Sequence, residues 1–85
     1  MDNIKNFNVK EIFDLGLKNH KENKFQEALN YYSKLIENDV YKVIAHYNIG
    51  LINEKLGRNE LAKKNYNQAI KYNPSFIQPY NNLGI

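Results

Sequence analysis

Phe13-Asp14-Leu15-Gly16-Leu17 returns as Tyr47-Asn48-Ile49-Gly50-Leu51 and again as Asn81-Asn82-Leu83-Gly84-Ile85, at steps of 34 residues. The same step carries Ala28 to Ala62, Tyr32 to Tyr66 and Ile36 to Ile70. A period of this length marks a repeat architecture, in which one helical unit cannot bury its apolar face alone and is stacked on the next. Chains of this kind act through an extended shared surface more often than through a catalytic pocket.

Outward from the glycines, each period holds two helical patterns. Val9, Ile12, Phe13, Gly16 and Leu17 follow the helical step, and Asn8 with Glu11 predicts a capping box before them. This helix is expected to stop near Glu22, where Asn23 can take the left-handed turn. Phe25, Ala28, Leu29, Tyr32, Leu35 and Ile36 predict a second helix, closed by Asn38-Asp39. Val43, Tyr47, Ile49, Gly50 and Leu51 predict a third, with Gly57 standing where Asn23 stood. Ala62, Tyr66, Ala69 and Ile70 predict a fourth, ended by Asn73-Pro74 because proline cannot continue a helix interior. Ser75 with Gln78 predicts another capping box and a fifth helix opening near Phe76, with Pro79 tolerated in its first turn. Ile77, Tyr80, Leu83 and Ile85 are expected to lay one face of that helix on the fourth.

Short turns between consecutive helices make them antiparallel neighbours. The expectation is an all-α helical-hairpin repeat solenoid of five antiparallel helices. Residues 1–8 form a lead-in, 9–42 and 43–76 two units, and 77–85 the first helix of a truncated third. Gly16, Gly50, Ala28 and Ala62 leave room for close helix approach, and a bulky residue there would overpack the contact.

Composition narrows the function classes. The 85 residues carry a net charge of +3 from twelve basic and nine acidic residues, spread along the chain and not gathered into one basic face. Eleven of the twelve cations are lysine, leaving Arg58 as the one fork-shaped donor. No apolar run approaches a membrane span. Met1 to Phe7 lacks the apolar core of a secretory signal, and there is no cysteine. A cytoplasmic protein is the expectation.

The joint pattern of Ile12, Leu15-Gly16, Ala28, Tyr32 and Leu35-Ile36, then Ile49-Gly50, Gly57, Ala62, Tyr66, Ala69-Ile70 and Pro74, resembles the tetratricopeptide repeat family. Tyr80-Asn81-Asn82-Leu83-Gly84 opens a third unit in that family's most typical spelling. Asn19 and Asn53 stand where the family favours tyrosine, Val40 where it favours proline, and His46 where a large apolar residue is common. The resemblance covers residues 9 to 85 and implies a right-handed superhelix whose concave groove is lined by the first helix of each pair. Carried over by position, the groove would show Lys10, Phe13, Asp14, Leu17 and Lys21, then Ile44, Tyr47, Asn48, Leu51 and Lys55, then Gln78, Asn81, Asn82 and Ile85.

Two known modes of the family can be weighed against these residues. The clamp that holds chaperone C-terminal carboxylates would fall on Phe13, Leu17, Asn48, Gln78 and Asn82. Only Asn48 fits, and the cations a paired carboxylate needs are missing. The asparagine ladder of O-GlcNAc transferase-like repeat domains would fall on Asp14, Asn48 and Asn82, and is the closest in spelling. An asparagine amide can grip an extended backbone without reading its side chains, and Asn48 is expected to point away from the hairpin core. Phe13, Tyr47, Leu17 and Leu51 fit either an apolar groove patch or the core.

His20 and His46 lie in different helices with no further ligand at metal-binding spacing. No phosphate loop, nucleophile elbow or acidic pair beside a histidine occurs. No enzyme activity, metal or cofactor is therefore expected. The expected function is a non-catalytic module that binds a protein or peptide segment at Phe13, Asp14, Leu17, Lys21, Tyr47, Asn48, Leu51, Lys55 and Asn82. Because the chain ends inside a repeat, a longer parent protein is expected as well. Two alternatives stay open: self-association into a homo-oligomer through the exposed C-terminal helix, and an RNA-binding helical repeat using the lysines, which the scattered charge disfavours.

Overall fold

In the computed structural model, which describes residues 7–84, five α-helices follow one another, with no strand among the described residues. They are α1 (Val9–Lys21), α2 (Phe25–Ser33), α3 (Lys42–Lys55), α4 (Asn59–Tyr72) and α5 (Gln78–Leu83). α1 and α2 form one helical hairpin and α3 and α4 a second; α2 packs on α3 to join them, and α5 lies on α4. This is the all-α helical-hairpin repeat fold that the period predicts.

Local chemistry sets the helix ends. The Asn8 side-chain oxygen accepts the Glu11 N–H at 2.8 Å while Glu11 accepts the Asn8 N–H at 3.0 Å, so the capping box is complete. Both hairpin turns are built on a left-handed residue, Asn23 at φ 61° and Gly57 at φ 77°. The same backbone bond closes each one, Lys24 N–H to Asn19 C=O and Arg58 N–H to Asn53 C=O, both at 2.8 Å.

Two helix boundaries differ from expectation. α2 ends at Ser33, not at Ile36, and Leu35 lies in the following turn, where its N–H donates to the Tyr32 carbonyl at 2.9 Å. The Ser33 hydroxyl donates to the Asn30 carbonyl at 2.9 Å, a back-bond that competes with the helical ladder. Leu35 is nonetheless fully buried, in a cluster with Ile12 and Ala45. The second difference concerns α5. It starts at Gln78, and Ser75 caps nothing: its own N–H donates to the Asn73 side chain at 3.1 Å, and no side chain caps the helix. Ile77 points outward at 64% exposure and Pro79 is the buried residue of α5, with Tyr80 and Leu83 half-buried. Ile85 lies outside the described residues. Counting 34 from the buried Ala45 leads to Pro79, so the repeat register governs which face of α5 is inside.

The hairpins close around a glycine–tyrosine contact. A Cβ on Gly16 would stand 2.6 Å from the Tyr32 ring, and one on Gly50 would stand 2.6 Å from the Tyr66 ring. Ala28, Tyr32 and Ile52 form a second buried cluster, so the core crosses from one unit into the next. Asn53, in the slot expected to suit tyrosine, is buried and satisfied: it donates to Asn65 at 2.8 Å. His46 is also buried, and its Nδ1 has no hydrogen-bond partner among the described residues.

Candidate functional site

The side chains expected to line a groove fall into two layers. Phe13 and Tyr47 are half-buried and lie on the tyrosines of their own units, with ring centroids 6.2 Å from Tyr32 and 5.6 Å from Tyr66 respectively. Each is covered in turn by an aromatic ring from the segment entering the next unit, Tyr41 at 5.1 Å and Phe76 at 5.2 Å. Both are therefore held within aromatic clusters. Asn48 belongs to the same inner layer. It is 7% exposed and stands against the Tyr32 hydroxyl instead of pointing free of the packing.

The outer layer is accessible. Asp14, Lys21, Lys55 and Asn82 are exposed, while Leu17 and Leu51 are half-buried among them. Asp14, Leu17 and Lys21 come together with Lys18 and Glu22 around a trough of about 390 Å³ on α1. Leu51 and Lys55, one unit on, lie outside this trough, although the Lys55 charge reaches His20. Asp14 is held by Lys10 at 2.9 Å. Lys18, Lys21 and Lys55 form no ion pair among the described residues.

Asn82 joins the layers. It accepts from the Tyr47 hydroxyl at 3.1 Å, and its amide nitrogen donates to the Tyr66 hydroxyl at 3.4 Å. The Tyr66 hydroxyl donates to the Glu54 carboxylate, while Tyr32 lies 3.1 Å from Nδ1 of His20. Each buried tyrosine hydroxyl thus sits between a polar residue twelve positions before it and an asparagine sixteen positions after it. Burial raises the Tyr32 pKa to about 12 and, with help from the Glu54 carboxylate, raises that of Tyr66 further. Burial, and secondarily the Lys55 charge, lowers the pKa of His20.

Sequence reasoning missed His20 and Glu54, which occupy one position of the period and meet the same partner in each unit. The signal was available: both are polar and both precede a repeating tyrosine by twelve residues. Lys18 was missed for another reason, since it lies off the positions that the family's groove implies. Among the described residues, no three histidine or acidic side chains converge as a metal site would need, and no helix is long and apolar enough to cross a membrane.

Known proteins share sequence with this chain along these helices. The photosystem I assembly protein Ycf3 of Cyanophora paradoxa is 38% identical over 73 residues, which cover 82% of this chain and 42% of that protein. The Ycf3 protein of Cuscuta gronovii is 36% identical over 73 residues, covering 82% of this chain and 44% of its own length. The chain thus spans less than half the length of these curated relatives. No solved structure matches it. The match to a protein family falls on α3, α4 and the turn that follows: residues 43–76 are a tetratricopeptide repeat.

Proposed function

We propose that the chain is a non-catalytic protein-interaction module that receives a peptide segment along the exposed face of its first helices. The observation that carries this is the α1 trough, where Leu17 offers apolar surface between Lys18 and Lys21, whose ammonium groups form no ion pair among the described residues. Unpaired cations flanking apolar surface favour a segment that combines an apolar side chain with acidic groups. Lys55 and Leu51 extend the same chemistry one unit further. The relatives are named as assembly proteins, which supports a role in handling other proteins.

The test begins with peptide selection on the immobilised protein, followed by titration of a selected peptide into ¹⁵N-labelled protein. Shifts are expected along α1 and α3, and Lys21→Ala and Lys55→Ala are expected to weaken binding while Lys64→Ala does not. Shifts confined to the outer faces of α2 and α4 would overturn the proposal.

A second reading, pairing of two copies through α5, is favoured by the exposure of Ile77. It ranks lower because of the cavity of about 410 Å³ beside α5. Asn59, Lys63 and Glu54 line that cavity, where the first unit has Phe25, Leu29 and His20, so its walls suit an apolar neighbour poorly.

A further inference from the structure

The outer face of α1 has the layout of a self-complementary interface. In α3 the corresponding positions are Ala45, Asn48, Ile52 and Lys55, and the first three are buried. It is therefore a face that this kind of helix uses for packing. In α1 those positions are Glu11, Asp14, Lys18 and Lys21, all exposed. Two troughs run along them, one of about 390 Å³ and one of about 320 Å³ lined by Phe7, Glu11, Asp14, Leu15 and Lys18. They lie side by side, with Asp14 and Lys18 common to both.

Glu11, Asp14, Lys18 and Lys21 are spaced three, four and three residues apart, the spacing of a seam between two helices. They lie on the side of α1 opposite Gly16, whose own side is closed by Tyr32. The order of charge is acidic then basic, and it is symmetric about residue 16. When a second α1 is laid antiparallel with a two-fold axis at that level, Glu11 meets Lys21 of the other copy and Asp14 meets Lys18. The helix dipole also favours acids first and bases last, but it is indifferent to this spacing and to this centre of symmetry.

We infer that this face of α1 is an isologous docking surface for a second copy of this chain, joined antiparallel through α1 by four ion pairs, two of which replace the Lys10–Asp14 pair of each copy. Glu11 belongs to this surface alone. Asp14, Lys18 and Lys21 also line the peptide trough, so a peptide and a second copy would compete for them, but the pairing does not depend on peptide binding. One helix pair makes a small contact, so the association is weak and governed by ionic strength.

Sedimentation equilibrium on the full chain tests this directly. At about 0.01 M salt, where the Debye length is about 30 Å, the weight-average mass is expected to rise toward twice the monomer value with concentration. At about 1 M salt, with a Debye length of about 3 Å, it should return to the monomer value. Each charge reversal alone, E11K/D14K or K18E/K21E, should stay monomeric at low salt, and an equimolar mixture of the two should form a heterodimer. A wild type that stays monomeric at low salt, or a mixture that does not associate, overturns the inference. Association through α5 would be blind to these four charges. Since E11K also removes a helix cap, a milder pair provides a second measurement. The chain has no cysteine, so Asp14→Cys and Lys18→Cys proteins mixed under oxidation should yield the mixed disulfide in excess of either homodisulfide. A statistical yield overturns the inference as well.

Discussion

Gly16 lies directly under the ring of Tyr32, and Gly50 lies under Tyr66 in the same way, each so close that a single added carbon would stand 2.6 Å from a ring atom. The rings are buried and cannot swing aside as the end of a flexible side chain would. Gly50→Ala should therefore destabilise the protein although alanine is the better helix former by about 1 kcal/mol. Overpacking of this kind costs about 1–3 kcal/mol. Urea denaturation should show the loss, and a smaller residue at position 66 should relieve part of it. Equal stability of Gly50→Ala and wild type would contradict the contact.

Ala62 is 2% exposed on α4, within the second hairpin. Ala62→Leu should lower the melting temperature by several degrees, since ~1–3 kcal/mol is a large share of a small domain's stability. A melting curve that superimposes on the wild type would place Ala62 away from a close helix contact.

Asn48 and Asn82 occupy the same position of the period but differ in burial, Asn48 being 7% exposed and Asn82 on the surface. Asn48→Ala should cost about 1–2 kcal/mol of stability by removing a buried polar partner of Tyr32, whereas Asn82→Ala should cost less. Thermal melts of the two variants decide this, and an equal loss at both positions would refute it.

Burial lowers the pKa of His46, and burial with the Lys55 charge lowers that of His20. The unfolded chain therefore binds more protons just below the ordinary histidine value of about 6.5. Stability from these groups is fully present above that pH and is lost as the pH falls through it toward the lower folded values. His46→Phe should flatten this slope and raise the melting temperature, since it also removes the unpartnered Nδ1. A melting temperature that does not change between pH 7.5 and 5.5 in the wild type would refute the prediction.

Both tyrosines have pKa values raised by burial, Tyr32 to about 12. Above the ordinary value near 10 the unfolded state releases these protons first, so stability should fall as the pH rises from about 10 toward 12. Tyr66→Phe and Glu54→Ala should each destabilise at neutral pH, and the double variant should cost less than their sum. A double-mutant cycle measures that difference, and strict additivity would mean that the hydroxyl–carboxylate bond contributes nothing.

Much of the fold was legible because small and aromatic residues that pack helix on helix must repeat at the period of the stack. Gly16, Ala28 and Tyr32 announced their counterparts and the hairpin geometry with them. The early end of α2 was not legible, since it follows from one hydroxyl, Ser33, turning back onto Asn30. The inner face of α5 was misread because Ile77, Tyr80 and Leu83 make a plausible apolar stripe, while the register from Ala45 leads to Pro79. The site was harder still. Tyr41 and Phe76 cover Phe13 and Tyr47 but lie 35 residues apart, so periodicity does not pair them. Asn48 looks like surface in the sequence because its burial depends on a tyrosine from the preceding unit.

The tyrosine hydroxyls have a consequence for how the chain comes apart. Each touches a first helix of its own unit on one side and the first helix of the following unit on the other, so it lies where neighbouring units meet. In a linear array, cooperativity is set by the coupling between neighbours. Here the own-unit partner is an imidazole, His20, for one hydroxyl and a carboxylate, Glu54, for the other. Acid charges the His20 imidazole against the burial and the Lys55 charge that oppose it, and so loosens the first hairpin's hold on Tyr32. That loss is felt at the junction beyond, because the same hydroxyl faces Asn48 of the following unit.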